Sequence, residues 1–271
     1  MSTNPLRIAV AGATGRMGQA VVRAILQSRD YVLAAAFARN AHPDLGKNAG
    51  TFAGAQPSSI ELTEVSAAGM AEADALIDFT APAASLAFGR LAADAHVVHV
   101  LGSTGFSPEQ EAQVTALAGE SVIIKSSNMS LGVTLLASLV RQAAKALSEF
   151  DVEILEMHHR SKVDAPSGTA LLLGEAVAEG RSRPLAENSV RSRDGNIGPR
   201  KPGAIGFASL RGGTVVGEHS VMLAGPHERV VLSHVAEDRM IFARGALAAA
   251  RWAQGKSSGL YSMADVLGLD G

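Results

Sequence analysis

The sequence predicts an α/β protein: a doubly wound parallel sheet with helices on both faces, joined to a second segment of α+β character. Three observations carry this expectation. Five short strand patterns in the first half are continuous apolar runs rather than alternating ones, as strands buried on both faces require. Residues at helical spacing lie between them, so strands and helices alternate in the order that builds parallel sheets. After residue 127 the pattern changes to a long helix and then strands separated by glycine-containing turns.

The first strand is "RIAVAG", Arg7 to Gly12, followed by a helix in which Met17, Ala20, Val21, Ala24 and Ile25 share one face. "YVLAAAFA" (Tyr31 to Ala38) is the second strand and "DALIDFT" (Asp74 to Thr80) the third. Pro82 suits the first turn of the next helix, where its missing N–H costs nothing. "HVVHVLGSTG" (His96 to Gly105) and "SVIIK" (Ser121 to Lys125) continue the series, with a helix between them that Ser107 caps and acids in its first turn support. A helix over 130–149, the strand "DVEILEMH" and a helix from Ser167 to Gly180 follow. Residues 181–203 are polar and rich in Gly, Pro and Arg, which predicts a long loop. "AIGFASLRGG", "TVVGEHSVMLAG" and "ERVVLSHVAE" are expected to form antiparallel strands. A closing helix presents Ile241, Gly245, Ala248, Ala249 and Trp252 on one face, and a chain that leaves its first domain can return to it there.

Composition narrows the class of function. The 271 residues are 47% apolar and 18% charged, which describes a globular protein large enough for two domains. A formal net charge of -2 offers no global attraction to nucleic acid or anionic lipid, so a cationic site must be local. With no cysteine there is no disulfide, thiolate metal site or thiol nucleophile. No signal-like leader and no apolar stretch of membrane-spanning length is visible, so a cytoplasmic protein is expected.

"GATGRMG" places Gly12, Gly15 and Gly18 between a strand and a helix. Glycine lets the backbone turn tightly and approach a pyrophosphate, which the free amides and the positive end of the helix dipole then meet. Glycine-rich turns also occur as plain connections, but this one follows the first strand of a βαβ unit, the position of a dinucleotide site. No Lys-Ser or Lys-Thr pair follows, which argues against a phosphoryl-transfer loop. "GSTGF" (Gly102 to Phe106) and "SSNMS" (Ser126 to Ser130) stand at the ends of later strands, where ligands of open parallel sheets bind.

The stretch "EMHHRSKVDAPSGTA" (Glu156 to Ala170) concentrates His158, His159, Arg160 and Lys162 just ahead of Ser167, an N-cap whose helix would begin with the amides of Gly168 and Thr169. Basic side chains and helix-start amides together make a receptor for carboxylate or phosphate, and a histidine with a lysine can move protons within it. A zinc site of the two histidines and Asp164 is disfavoured by the adjacent Arg160 and Lys162, whose charges repel a divalent cation. A pair of surface histidines in a basic turn would not explain the "APSGTA" that follows.

Taken together, "HHRSKVDAPSGTA", "GATGRMG", "DFT", "GSTGF", "IGFASLRGG" and "VGEHSV" resemble the 4-hydroxy-tetrahydrodipicolinate reductase family, also called dihydrodipicolinate reductase, in order from Ile8 almost to the C-terminus. The resemblance implies a Rossmann-type dinucleotide-binding domain over 1–127 and 238–271. It implies an inserted substrate-binding and tetramerisation domain over 128–237, a homotetramer, and NADPH or NADH as cofactor. The implied substrate is a cyclic imine dicarboxylate in diaminopimelate and lysine biosynthesis. Carried over by residue, His158 and Lys162 form the acid and base pair, and His159, Gly168 and Thr169 bind substrate carboxylate. Gly12, Ala13, Thr14, Gly15, Arg16 and Met17 hold the pyrophosphate and ribose. Gly102, Ser103, Thr104, Ser126, Ser127, Asn128 and Met129 line the nicotinamide. No metal is implied.

Two departures are informative. Ser103 stands where the family usually has threonine, keeping the hydroxyl. Ala38 stands where relatives that use NADH well carry an acid, and Arg39 beside it offers a donor fork suited to a 2′-phosphate, so NADPH is expected to be preferred. Another Rossmann oxidoreductase, such as an amino-acid dehydrogenase, would share the glycine turn without the His-His-Arg-x-Lys string. A dinucleotide-sensing regulator could dispense with His158 and Lys162.

Overall fold

The computed structural model describes residues 4–269. The chain divides into two units: one runs to Ser130 and resumes at Arg239, and the other spans Leu131–Asp238. The first unit begins with β1 (Leu6–Ala11), α1 (Arg16–Leu26), β2 (Tyr31–Ala38), α2 (Ala49–Phe52), β3 (Leu62–Glu64) and α3 (Ala67–Ala71). It continues through β4 (Ala75–Asp78), α4 (Pro82–Asp94), β5 (Val98–Leu101), α5 (Pro108–Ala118) and β6 (Val122–Lys125). The second unit holds α6 (Leu131–Ala146), β7 (Asp151–His158), α7 (Gly168–Gly180), α8 (Leu185–Asn188), β8 (Ser189–Val190), β9 (Ile205–Arg211), β10 (Gly217–Gly225) and β11 (Glu228–Ala236). The chain then returns to the first unit with α9 (Met240–Trp252), β12 (Gly259–Tyr261) and α10 (Met263–Leu267).

The first sheet has the order β12-β6-β5-β4-β1-β2-β3, with every pairing parallel. Its central strands are apolar throughout because both faces are covered: Ile8, Ala9 and Val10 on β1 and Ala75, Leu76 and Ile77 on β4 are all fully enclosed. The chain winds outward from β1 to β3, then starts again at β4 on the other side of β1. That reversal opens a crevice at the carboxyl ends of β1 and β4, the ligand position of such sheets. Local signals set the helix starts. Ser107 and Gln110 form a reciprocal capping box at α5, and Pro108 and Pro82 occupy the first turns of α5 and α4. On α9 the buried set is Ala243, Gly245, Ala246, Leu247, Ala249 and Ala250, wider than the expected stripe, because the helix touches both α1 and the strands β4 and β5. Trp252 lies at its rim, edge-on to Tyr261 with ring centroids 5.3 Å apart.

The second sheet has the order β11-β10-β7-β9-β8 and is mixed. β10 pairs antiparallel with β7 and β11, as expected, but β9 runs parallel to β7 and β8, so the expectation of three antiparallel strands is corrected. Strand β7 sits between β9 and β10, and the Gly212–Gly213 segment carries the chain past its end instead of making a hairpin. Helices α6 and α7 pack on one face around Val140, Val152, Ile154, Leu173, Val177, Val221 and Leu223. The predicted loop 181–203 contains α8 and β8, and its remainder is pinned to β7: Arg193 and Arg200 both bind the Glu153 carboxylate, at 2.7 to 3.1 Å, and Arg200 also binds Asp151 at 2.8 Å. Among the described residues no helix is long and apolar enough to cross a membrane.

Candidate active site

The glycine turn after β1 is built by backbone contacts that exclude side chains. Gly12 has φ +62°, and a Cβ there would meet Thr80 Cγ2 at 2.8 Å. A Cβ on Gly18 would strike the backbone of Gly12 and Ala13, so only glycine lets α1 lie this close to the turn. Ala13 N–H donates to Phe37 O on β2 at 2.9 Å, and Gly15 N–H to Gly12 O at 2.9 Å. No side chain caps the N-terminus of α1. The turn borders a cavity of about 540 Å³ lined by Gly12, Thr14 and Gly15, by Arg39, Asn40 and His42 beyond β2, and by Phe79, Thr80 and Ala81 beyond β4. Apolar side chains of α4 complete the wall, and no carboxylate lines it. Of the other expected residues in the turn, Ala13 is buried behind it, Arg16 is exposed and Met17 is half-buried. A side-chain-free turn at an uncapped helix start, an apolar wall and an arginine at the far end fit a nicotinamide dinucleotide.

The expected nicotinamide loops lie beyond β5 and β6. Gly102 N–H donates to Asp78 O at 2.8 Å, Thr104 is exposed, and the Ser103 side chain is buried, 2.8 Å from the Ser85 hydroxyl. After β6, the Ser126 hydroxyl donates to Asn128 O at 2.8 Å and Ser130 N–H to Asn128 Oδ1 at 2.8 Å, which fixes the turn. Ser127 is exposed on it and Met129 is buried.

In the second unit, period-two alternation along β7 puts Val152, Ile154, Glu156 and His158 on one buried face. The first two join the core, and the last two carry the polar end of the strand. Glu156 is 1% exposed. Arg211, paired with His158 across β9 and β7, grips both Glu156 oxygens at 2.8 Å. Glu156 Oε2 also lies 2.6 Å from His158 Nδ1, and Ser167 N–H donates to Oε1 at 3.2 Å. Burial would raise the Glu156 pKa, but Arg211 and His158 outweigh it and hold the carboxyl at about 2. An ionised Glu156 accepts the Nδ1 proton, leaving Nε2 as the working nitrogen of His158. Gly217 keeps that side open, since a Cβ there would stand 3.0 Å from Nε2. Burial lowers the His158 pKa against the opposing pull of Glu156, with the cations of Lys162 and Arg211 acting in the same direction as burial.

Ser167 caps α7 as expected, accepting from Ala170 N–H at 3.1 Å, and its hydroxyl lies 2.9 Å from His219 Nε2. Burial and the neighbouring His158 lower the His219 pKa to about 4. Gly168 opens α7 exposed, with nothing within 4 Å of its missing Cβ, and Thr169 is half-buried beside it. Lys162 lies in the turn between β7 and α7, with its ammonium 2.8 Å from Asp164 Oδ1 and its amide bonded to His159 O at 3.1 Å. Asp164, which a zinc site would need, is thereby engaged. Among the described residues no group of three or more His, Asp or Glu is placed to hold a metal ion.

The structure thus brings His158, Lys162, His159 and the start of α7 into one cluster. It adds Glu156, Arg211 and His219, to which sequence reasoning assigned no role. Their motifs, "EMHH", "SLRGG" and "GEHSV", were visible, but the pairing of β7 with β9 and β10 was needed to unite them.

A dinucleotide-binding α/β unit, with a second unit that sets a histidine–carboxylate pair beside a capped helix start, is the arrangement of a nicotinamide-dependent oxidoreductase. Two family models match, dihydrodipicolinate reductase N-terminus over residues 6–129 and dihydrodipicolinate reductase C-terminus over 132–267. The chain belongs to the dihydrodipicolinate reductase family. It is 57% identical over 270 residues to the 4-hydroxy-tetrahydrodipicolinate reductase of Parvibaculum lavamentivorans, covering 99% of this chain and 100% of that one. The Brucella abortus protein of the same name is 58% identical over 265 residues, covering 97% and 99%. Among solved structures, dipicolinate-bound dihydrodipicolinate reductase from Paenisporosarcina sp. TG-14 matches with a TM-score of 0.75 at 25% identity, covering 95% of this chain and 97% of that one.

Proposed function

We propose that this chain carries out the reaction of its family: NAD(P)H-dependent reduction of 4-hydroxy-tetrahydrodipicolinate to tetrahydrodipicolinate with loss of water, in diaminopimelate and lysine biosynthesis. The observation that carries the assignment is the His158–Glu156 pair beside the Ser167-capped start of α7. The Paenisporosarcina relative binds dipicolinate, a planar dicarboxylate of the same ring size.

In this reading Gly168 and Thr169, with His159, receive a substrate carboxylate, since helix-start amides favour an anion. His158 is neutral at pH 7 and offers the Nε2 lone pair to a proton, while Lys162 is the donor. Asp164 holds the Lys162 ammonium in place at 2.8 Å. Dehydration needs one proton delivered to the departing hydroxyl and one removed from carbon, and reduction leaves an enamine carbon that takes up a proton. Two groups with opposite proton affinities can serve these steps in turn. When bound, the nicotinamide supplies the hydride. Gly12 to Met17 would hold the pyrophosphate, Gly102 to Thr104 and Ser126 to Met129 the nicotinamide end, and Arg39 the 2′-phosphate that makes NADPH preferred.

The homotetramer of the family is supported by the uncovered face of the second sheet. There Leu155, Met157, Leu210, Met222, Val231 and Val235 point away from α6 and α7. A cytoplasmic enzyme with a small-molecule substrate and no nucleic-acid partner completes the proposal. The deciding experiment adds freshly made dihydrodipicolinate synthase product to enzyme and NADPH and follows loss of NADPH absorbance. No consumption, or consumption that survives removal of both His158 and Lys162, would overturn it.

A further inference from the structure

Asp78, the last residue of β4, is fully buried and takes no part in the chemistry described so far. Enclosing a carboxylate this completely is unfavourable unless its oxygens are met by donors. Thr80 meets it twice, through its N–H at 2.8 Å and its hydroxyl at 2.6 Å. His99 Nε2, from β5, lies 3.2 Å away, and the Ser103 hydroxyl donates at 3.5 Å while accepting from Ser85 at 2.8 Å. Burial would push the Asp78 carboxyl up, but these bonds, led by His99, hold it below the usual range and keep it charged.

His99 belongs to β5 itself, and the other two donors, Thr80 and Ser103, come from loops that leave the adjacent strands β4 and β5. Phe79, Thr80 and Ala81 follow β4 and line the dinucleotide cavity, and Gly102 to Thr104 follow β5. The main chain repeats the tie, with Gly102 N–H donating to Asp78 O at 2.8 Å. Thr80 also packs its methyl against Gly12, where an added Cβ would stand 2.8 Å away, so the β4 loop in turn abuts the phosphate turn. One charged side chain therefore ties the loop after β4, which lines the cavity, to the loop after β5.

We infer that Asp78 is a positioning residue for the cofactor, fixing the loops after β4 and β5 in the spacing a nicotinamide dinucleotide needs, with Ser103 as the link to the second loop. The inference rests on the assignment of the cofactor to this unit. It requires both cofactors to be affected alike, because the network touches nothing that distinguishes a 2′-phosphate.

The test measures dissociation constants for NADPH and NADH by fluorescence titration of the full chain, beside melting temperature, kcat and both KM values. Asp78→Asn keeps the shape and loses the charge, and should weaken both cofactors by about 10-fold or more. Ser103→Ala removes the hydroxyl that links Ser85 and Asp78 to the second loop and should weaken both by roughly 3- to 10-fold, with Ser103→Thr recovering most of that loss and the substrate KM unmoved in each. If Asp78→Asn fails to fold, the Ser103 pair decides alone. A lower melting temperature with wild-type dissociation constants in the soluble variants would make the network merely structural and overturn the inference. Gly12→Ala serves as the control. Undiminished binding there removes the cofactor from this turn, and the inference with it. Weakened binding there, with none in Ser103→Ala or Asp78→Asn, refutes the inference alone.

Discussion

Removing the proposed proton donor should separate proton transfer from binding. Lys162→Ala should lower turnover by about 10²- to 10⁴-fold with NADPH binding retained, and His158→Ala should do the same. Wild-type turnover in either variant takes that residue out of the mechanism. Arg39 is proposed to act on a different quantity, the choice of cofactor. Arg39→Ala should erase most of the proposed preference for NADPH by raising its KM, with NADH use nearly unchanged. Equal KM values for the two cofactors in the wild type would end that assignment. The histidines also make stability depend on pH. His219 has a pKa of about 4 in the folded chain, below the ordinary 6.5, so between those values the unfolded chain binds more protons. Stability should therefore fall as pH drops from about 6.5 to 4 on account of His219, with His158 and His234, also lowered by burial, acting in the same direction below the ordinary histidine value. Urea midpoints across this range should flatten in part in His219→Asn. Glu156 acts in the same direction over a lower window: its pKa of about 2, depressed from 4.5, gives stability that is fully present above the ordinary carboxylate range and lost progressively as pH falls from about 4.5 through 2.

Helix α7 would join capping to recognition, because the Ser167 hydroxyl caps the helix whose first amides are proposed to receive the substrate carboxylate. Ser167→Ala should cost about 1 kcal/mol of stability and raise the substrate KM. A variant with wild-type melting temperature and substrate KM would show that the cap matters to neither. This element was legible in the sequence because capping is local, as were Ser107 and Pro82: three or four adjacent residues decide the outcome. Strands β3 and β12 were not legible, since three residues at or near a sheet edge carry no periodicity. Nor was the direction of β9, which depends on β7 standing between it and β10. The candidate catalytic string around His158 could be read from its composition, but its partner Arg211 lies 55 residues away from Glu156 and becomes visible only with the register of β7 and β9. Asp78 was hidden for the same reason, since a buried acid in "DALIDFT" looks like a strand end until Thr80, His99 and Ser103 are seen around it.

At the scale of the whole molecule, the uncovered sheet face is the surface through which the proposed tetramer would assemble. Val231 is 49% exposed on the edge strand β11 and aligned with Met222 across the ladder. Sedimentation velocity should give four chains for the wild type and a smaller species for Val231→Glu, which places a charge on that apolar face; a wild-type monomer would overturn the assembly. The route of the chain has a further consequence, for synthesis. Strand β12 pairs with β6, and α9 covers α1, yet both are translated only after the more than one hundred residues of Leu131–Asp238. While the ribosome makes that stretch, β6 is an open parallel edge and α1 lacks its cover, so the nascent first unit exposes a ready template for pairing with another chain. Its maturation waits on the far end of the message, and a ribosome that stalls in between leaves the sheet unfinished.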